Sequence, residues 1–285
     1  MKLLSYILVT AFVFLLWTSS YAQATKSPSK PTDLKTIFNQ FFELEEADSL
    51  QLSSKLTLAK KICESDPAST YCLYTGAWGA IVGDINNMSE TALNAIEKME
   101  RDQPEWAEVY FLHAQYLYYK KEPGYIEKAQ KSIELKPRLI RPVYFLASVY
   151  DELQNYKLSL VYYNQLEKLN PTHWSLYYNR GNVKDMLRDF NGSVADYSKA
   201  LELDPAHYRA LFNRGYAYLA MENYAKAEPD FDAFIRMMPS YALAYYYRGF
   251  SRYFLGNKTA CCEDMRKAAA LGDQESASFI TKYCQ

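Results

Sequence analysis

The sequence has no excess of charge of either sign, since 32 Lys and Arg residues stand against 33 Asp and Glu residues. A surface that binds nucleic acid needs a basic surplus, so this balance argues against nucleic-acid partners. Disorder is also excluded for the chain as a whole, because 49% of the residues are hydrophobic and only 23% are charged. The composition therefore predicts a folded chain with a sizeable core.

Histidine is scarce, and the sequence motifs of catalysis are missing. There is no glycine-rich phosphate loop, no G-x-S-x-G, no H-E-x-x-H and no C-x-x-C. The only histidines are His113, His173 and His207, and the last two stand two residues after a proline, where we interpret them as the first residues of helices. No cluster of Cys and His has metal-ligand spacing. We therefore predict a protein without enzymatic activity, cofactor or bound metal.

The N-terminal stretch MKLLSYILVTAFVFLLWTSSYAQA has the layout of a secretory signal peptide: one Lys, an apolar run, and then small and polar residues. We predict a signal peptide over residues 1–22 with cleavage after Ala22; cleavage after Ala24 is the second choice. The apolar run is shorter than the roughly 20 residues of a membrane span. An uncleaved anchor is the alternative interpretation.

Residues 23–33 contain Ser, Pro and Lys, and we interpret them as a flexible leader. Together with the signal peptide, this leader predicts an exported bacterial protein in the periplasm or cell envelope, or a secreted one. No integral membrane segment would remain after cleavage.

Glycine is sparse as well, at 10 residues, yet three glycines occupy the same position of a repeated pattern. Prolines recur every 34 residues, each followed seven residues later by an aromatic side chain; the last three are also followed by Arg and Gly in adjacent positions. The residues concerned are Pro137, Pro171, Pro205 and Pro239, then Arg180, Arg214 and Arg248, and Gly181, Gly215 and Gly249. A period of this length predicts stacked supersecondary units.

Apolar spacing within a unit is helical. In the unit that begins at Trp174, one helix is predicted to about Leu187 and a second one to Pro205. The segment RDFNGS between them, residues 188–193, is predicted to be the turn, with Asn191 and Gly192 in it. A proline ends each second helix because its ring is incompatible with a helix interior.

A glycine inside a helix costs about 1 kcal/mol relative to Ala. We therefore expect the three glycines to let the two helices of a unit approach closely. Small residues of the second helix should face this position, and a larger side chain should fill the wedge beside it. The expected residues are Ser193, Ala227 and Cys261, and then Tyr197, Phe231 and Met265.

This 34-residue helix–turn–helix unit resembles the tetratricopeptide repeat family. The residues that carry the resemblance are Gly181, Tyr197, Ala200 and Pro205, then Gly215, Tyr218, Ala227, Phe231 and Pro239, and in the last unit Gly249 and Ala268. The last unit departs from the pattern because Asp273 stands in place of the terminal proline. The resemblance implies an all-α fold, a right-handed superhelical solenoid of helix–turn–helix repeats with a groove and a C-terminal capping helix.

The repeats are predicted to divide the chain into three parts. Residues 34–69 form a degenerate N-terminal helical repeat, residues 70–272 form the repeat array, and residues 273–285 form the capping helix. One unit is longer than the others, because Pro104 follows Pro67 by 37 residues.

Five cysteines become relevant once the chain is exported, because an oxidising compartment permits disulfides. Stacking of repeats would bring Cys63 close to Cys72, and the capping helix would bring Cys284 close to Cys262. We predict these two disulfides and a free Cys261. The alternative is that all five cysteines are reduced and buried, as cysteine often is.

One aromatic position recurs in the first helices of six successive units, and the resemblance places it on or beside the groove. Its residues are Tyr74, Tyr110, Tyr144, Tyr178, Phe212 and Tyr246, and Tyr216, Phe250 and Tyr253 would enlarge an aromatic groove near the C-terminus. Such side chains either bind a ligand or pack between neighbouring repeats, and both alternatives stay open. The Arg series is expected to pair with acids between repeats.

The function that these features favour is a non-enzymatic exported scaffold, which binds a protein or peptide partner through an aromatic-rich groove. The alternative is a glycan-binding helical-repeat protein of the cell envelope, because stacked aromatic rings also hold sugars.

Overall fold

The computed structural model describes residues 49–66, 69–83 and 90–284, and every regular element in these residues is an α-helix. The predicted signal peptide, the leader and residues 34–48 of the predicted N-terminal repeat lie outside the described residues. The helices are α1 (Ser49–Ser65), α2 (Thr70–Gly83), α3 (Glu90–Asp102), α4 (Ala107–Lys120), α5 (Tyr125–Leu135), α6 (Ile140–Glu152), α7 (Tyr156–Leu169), α8 (Trp174–Met186), α9 (Phe190–Leu203), α10 (Tyr208–Ala220), α11 (Tyr224–Met237), α12 (Ala242–Phe254), α13 (Lys258–Ala270) and α14 (Gln274–Tyr283).

The chain divides into two compact units, residues 1–142 and 143–285. In the described part of the first unit, α1 to α4 enclose a core of large side chains that are almost completely buried. These side chains are Ile62, Tyr74, Trp78, Ile96, Met99 and Leu112.

A charged group ties three helices of the first unit together. His113 Nδ1 on α4 lies 2.8 Å from one carboxylate oxygen of Glu100 on α3, and Lys128 Nζ on α5 donates to the other oxygen at 2.6 Å. Burial opposes ionisation of Glu100, but the hydrogen bonds with His113 and Lys128 outweigh it and lower the pKa of this carboxyl. In the 34-residue register, His113 stands at the position that glycine occupies in the later repeats. Its ring has Glu100 as a polar partner there.

The second unit is a series of antiparallel helix pairs. Its helices are joined by connections of three or four residues, which make successive helices neighbours in space. The pairs α8–α9, α10–α11 and α12–α13 pack together, and each second helix also packs on the first helix of the next pair. The last helix, α14, packs on α13. The predicted all-α helical-repeat fold with a C-terminal capping helix is confirmed.

The turn between α8 and α9 lies earlier than the sequence predicts. It consists of residues 187–189, whereas Asn191 and Gly192 belong to the first turn of α9. The Asp189 side chain accepts a hydrogen bond of 3.0 Å from the Gly192 amide and so caps the helix N-terminus. Arg188 adopts the left-handed conformation, with φ of 59°. The turn is therefore formed by the left-handed Arg188 and the N-cap Asp189, and not by the Asn191-Gly192 dipeptide.

The repeat glycines allow the close approach that the sequence predicts, but the side chains nearest to Gly181 and Gly215 are the rings of Tyr197 and Phe231 and not the small residues Ser193 and Ala227. At Gly249 the nearest side chains are Asp264 and Met265. A Cβ atom at Gly181 would lie 2.6 Å from the Tyr197 ring, and one at Gly215 would lie 3.0 Å from the Phe231 ring. The separation at Gly181 is shorter than carbon atoms tolerate, so the absence of a side chain on α8 admits the Tyr197 ring, whereas a Cβ atom at Gly215 would require the Phe231 ring to shift slightly. Overpacking costs about 1–3 kcal/mol. This cost can exceed the roughly 1 kcal/mol by which Ala stabilises a helix relative to Gly.

Three arginines of the second unit form equivalent ion pairs, of which the first is buried and the other two are partly buried. Arg180 donates two hydrogen bonds to Asp196, at 2.8 and 2.7 Å, and both side chains are buried. The pairs Arg214–Asp230 and Arg248–Asp264 have the same two-bond geometry. Each arginine thereby joins the first helix of a repeat to its second helix.

The same guanidinium groups also reach the preceding repeat. Nη1 donates from Arg180 to Asn164 at 3.1 Å, from Arg214 to Ser198 at 3.1 Å, and from Arg248 to Asp232 at 2.8 Å. Acids between repeats, as expected, are present at two of these three junctions: Arg180 also donates to both carboxylate oxygens of Glu167, at 2.5 and 3.0 Å, and Arg248 donates to Asp232. The expectation did not include the second acid partner, which lies within the repeat of each arginine.

Loss of one of these carboxylates should destabilise the second unit strongly. Asp196→Ala removes the two hydrogen bonds that the buried Arg180 guanidinium makes within its repeat, together with the ion pair between Asp196 and Lys184. Breaking a buried pair costs about 3–5 kcal/mol. Because Glu167 still accepts from Arg180, we expect a cost near the lower end of this range. We expect a lower urea midpoint of unfolding. Lys199→Ala, which removes an exposed ion pair with Glu202 on the same helix, should leave the midpoint unchanged. Equal midpoints for the two variants would contradict this account.

Candidate functional site

In the second unit, the recurring aromatic position packs against the second helix of its own repeat. Ring centroids lie 6.3 Å apart for Tyr144 and Tyr163, and 6.1 Å apart for Tyr178 and Tyr197. Phe212 lies 5.7 Å from Phe231 in the same way. These first-helix side chains are half-buried.

The same side chains also contact the following repeat. Tyr178 lies 4.6 Å from His207, and Phe212 lies 5.3 Å from Tyr241. The Tyr144 hydroxyl accepts a hydrogen bond of 2.8 Å from the Asn179 amide. Contacts on both sides favour the interpretation that Tyr144, Tyr178 and Phe212 pack between repeats.

The two residues of this series in the first unit have different surroundings. Tyr74 is buried, and its ring lies 5.3 Å from that of Trp106. Tyr110 is half-buried beneath Lys128, whose Nζ lies 5.5 Å from the ring centroid. Tyr74 therefore belongs to the core of the first unit.

A chain of six rings, three exposed and three half-buried, lies at the C-terminal end of the second unit. Tyr216 on α10 contacts Tyr247 on α12, and from there the rings follow one another along α12 at centroid distances of 4.9–6.2 Å. We call Tyr216, Tyr246, Tyr247, Phe250, Tyr253 and Phe254 the C-terminal aromatic surface. Tyr216 is 45% exposed, Tyr253 36% and Phe254 51%, so this surface presents large rings to solvent.

Sequence reasoning identified four of these six residues and missed Tyr247 and Phe254. Both could have been found from helical spacing: Phe254 lies four residues after Phe250, on the same side of α12. Tyr247 directly follows the recurring position and replaces the Asn that stands there in the two preceding repeats, Asn179 and Asn213.

A polar network adjoins the aromatic surface. The Tyr197 hydroxyl lies 2.9 Å from Asn182 Oδ1 and 2.6 Å from Asp185 Oδ2, and the Asn213 amide donates to Asn182 Oδ1 at 2.9 Å. Burial raises the pKa of the Asp185 carboxyl. Asn213 lies one helical turn before Tyr216 on α10, so amide groups and aromatic rings share one side of that helix.

The histidines have structural contacts. His207 Nδ1 accepts a hydrogen bond of 3.0 Å from the Ala210 amide, and His173 Nδ1 accepts one of 3.3 Å from the Ser175 amide. Both imidazoles therefore cap the N-termini of first helices. Within residues 49–66, 69–83 and 90–284, no group of three or more His, Cys, Asp or Glu side chains is arranged to hold a metal ion.

Four of the five cysteines are joined in the structure. Cys63 bonds to Cys72, with a Cα–Cα distance of 4.7 Å, and Cys262 bonds to Cys284, with a Cα–Cα distance of 5.6 Å. The first disulfide joins α1 to α2, and the second joins α13 to the residue that follows α14. Cys261 is buried with a free thiol, and burial raises its pKa.

Comparison with protein families agrees with this architecture. One tetratricopeptide repeat model matches residues 140–173, and another matches residues 186–242 and 214–253. The matched segments are similar in sequence to tetratricopeptide repeats. No curated protein matches the chain significantly.

Several solved structures share the fold. YrrB, a TPR protein with an unusual peptide-binding site, aligns with a TM-score of 0.61 at 22% identity, over 66% of this chain and 98% of YrrB. The C-terminal part of a TPR repeat-containing protein from Cytophaga hutchinsonii aligns at 0.62 with 14% identity, over 86% of this chain and 97% of that one. PilF of Pseudomonas aeruginosa aligns at 0.56 with 14% identity, over 74% and 99%. At these identities the likeness concerns the fold alone.

Measurements of unfolding distinguish the two interpretations of the recurring aromatic position, packing between repeats and ligand binding. Tyr178→Ser removes a half-buried ring that contacts two neighbours, so we expect unfolding to become easier by about 2 kcal/mol. Tyr216→Ser removes an exposed ring and should cost less than about 1 kcal/mol. Urea denaturation of both variants checks the difference. An unchanged Tyr178→Ser midpoint would instead favour a ligand-binding role for this position.

Proposed function

We propose that this protein is a non-catalytic scaffold, whose C-terminal aromatic surface binds an extended segment of a protein or peptide partner. The observation that carries the proposal is the continuous row of rings on α10 and α12. Three of its members are more than one-third exposed although the core of the unit is well filled. Exposed rings contribute less to stability than rings in the core, and exposed apolar clusters of this kind mark interaction sites.

The chemistry of the surface favours binding of a peptide. Tyr and Phe offer large contact areas with few rotatable bonds, so they lose little entropy on binding. The neighbouring Asn182 and Asn213 carry both donors and acceptors, which suit the main chain of an extended segment. YrrB, which shares the fold, has a peptide-binding site, and this supports the same class of ligand. Apolar side chains of the partner would contact the rings while its main chain meets the amides.

We further propose that the protein is exported, as the predicted signal peptide indicates. The two disulfides support this proposal because disulfides persist in oxidising compartments. No helix among the described residues combines the length and the apolarity that crossing a membrane requires.

Export has a direct test. Protein recovered from the envelope or medium of a bacterial host should begin at Gln23, as measured by intact mass. Non-reducing peptide mapping should show both disulfides, and only Cys261 should become alkylated after unfolding. A chain that still carries Met1, or four alkylated cysteines in addition to Cys261, would contradict the proposal.

Binding is tested with a pair of matched variants. Tyr216→Ser with Phe254→Ser removes two exposed rings from the aromatic surface. Leu158→Ser with Val161→Ser removes two apolar side chains that are 38% and 57% exposed on the second helix α7. Immobilised wild type and the α7 variant should retain the same protein from an envelope extract. The aromatic variant should retain at least about tenfold less, which corresponds to 1.4 kcal/mol.

The outcomes separate the two candidate ligands. Loss of the ligand after protease treatment of the extract supports a protein partner. Retention after protease treatment, with loss in the aromatic variant, would assign the surface to a glycan. Equal retention by both variants would show that another surface binds the partner. Both variants should unfold within about 1 kcal/mol of wild type, because they alter exposed side chains.

A further inference from the structure

The capping helix α14 is attached to the second unit at both ends. At its N-terminus, a turn of three residues connects it to α13, and Gly272 in this turn has φ of 101°. At its C-terminus, Cys284 follows the last helical residue and bonds to Cys262 on α13. The Asp273 side chain caps α14 by accepting a hydrogen bond of 2.8 Å from the Ser276 amide. A glycine turn and a disulfide thus delimit one short helix.

Packing of α14 is thin compared with that of the other helices. The helix has 10 residues, and Ser276 is its only fully buried residue. Phe279, Ile280 and Tyr283 are half-buried. A helix of this length is unstable in isolation, because short segments cannot offset the cost of helix nucleation. A covalent bond at its distal end therefore contributes much of what holds it in place.

This helix lies against the end of the C-terminal aromatic surface. The Tyr253 ring on α12 lies 5.4 Å from that of Phe279 and 5.5 Å from that of Tyr283. Burial and the nearby Glu275 carboxylate raise the pKa of Tyr246. Two members of the aromatic surface, Tyr246 and Tyr253, therefore have α14 as a neighbour.

We propose that the Cys262–Cys284 disulfide is a redox latch that keeps α14 closed over one end of the aromatic surface. A dithiol reductant opens it by thiol–disulfide exchange. One thiolate of the reductant attacks the half-buried Cys284 sulfur and releases Cys262, which takes up a proton. The second thiol of the reductant then displaces Cys284 as a thiol. The reductant leaves as a disulfide, so two electrons and two protons have passed to the protein.

Opening the latch leaves the turn that contains Gly272 as the one covalent attachment of α14, and its remaining contacts include those with α13 and with Tyr253. The helix then separates from α12 and exposes the sides of Tyr246 and Tyr253 that it covered. Reduction would enlarge the aromatic surface and leave the helix pairs α8–α9 and α10–α11 intact. The latch depends on the geometry of α12, α13 and α14; its effect on partner binding rests on the proposed function.

Hydrogen exchange of the full chain tests the latch directly. After reduction with dithiothreitol under native conditions, amides of α14 should exchange at least about tenfold faster, while those of α8 and α9 stay unchanged. Anilinonaphthalenesulfonate, a dye that binds exposed apolar surface, should fluoresce more strongly. The variant with Cys262→Ser and Cys284→Ser should behave like the reduced protein and respond no further to dithiothreitol. The matched variant with Cys63→Ser and Cys72→Ser should respond like wild type.

Three outcomes would overturn the proposal. One is unchanged exchange of α14 although mass spectrometry shows that Cys262 and Cys284 are reduced. Another is a disulfide that dithiothreitol reduces only after denaturation. The third is faster exchange throughout the second unit, which would make the bond a general staple of the fold. These readouts involve no partner, so their failure is distinguishable from a failure of the binding experiment.

Discussion

The organisation of the second unit depends on the arginine–carboxylate pairs, which are buried or partly buried. A guanidinium group removed from water must find acceptors, and Arg180, Arg214 and Arg248 each find two carboxylate oxygens on the second helix of their own repeat. Their remaining donors reach the second helix of the preceding repeat. One side chain per repeat thus fixes how three helices stand relative to one another. Rotation of any of them would leave a buried charge without its acceptors.

This arrangement uses one side of each first helix for polar contacts and the adjacent glycine for close approach. The Tyr197 ring can enter the space beside Gly181 only because that position has no side chain, and a Cβ atom at Gly215 would displace the Phe231 ring slightly. Aromatic residues elsewhere on the first helices are then free to pack across the repeat junctions or to face solvent. The rings that face solvent concentrate on α10 and α12, in the C-terminal repeats.

The capping helix α14 has two structural roles, one in the repeat stack and one at the aromatic surface. It ends the stack by covering the apolar side of the last pair, as a terminal element of a repeat array must. It also limits the aromatic surface, because Phe279 and Tyr283 contact Tyr253. In the proposed latch, the oxidised disulfide keeps α14 in this place and reduction releases it; a helix held by a large apolar core could not be released without unfolding its neighbours.

The 34-residue period by itself determined the helical repeats, their division by prolines and the final capping helix, because these features depend on local spacing along the chain. The glycine–aromatic wedge also followed from the sequence, since its residues keep one register. Tertiary structure decided the rest. It assigned Asp196 to Arg180 across 16 residues, placed the turn before α9 at residues 187–189, and separated the packed Tyr178 from the exposed Tyr216. Those outcomes depend on how far neighbouring helices cover each side chain, and burial by residues distant in sequence leaves no local pattern.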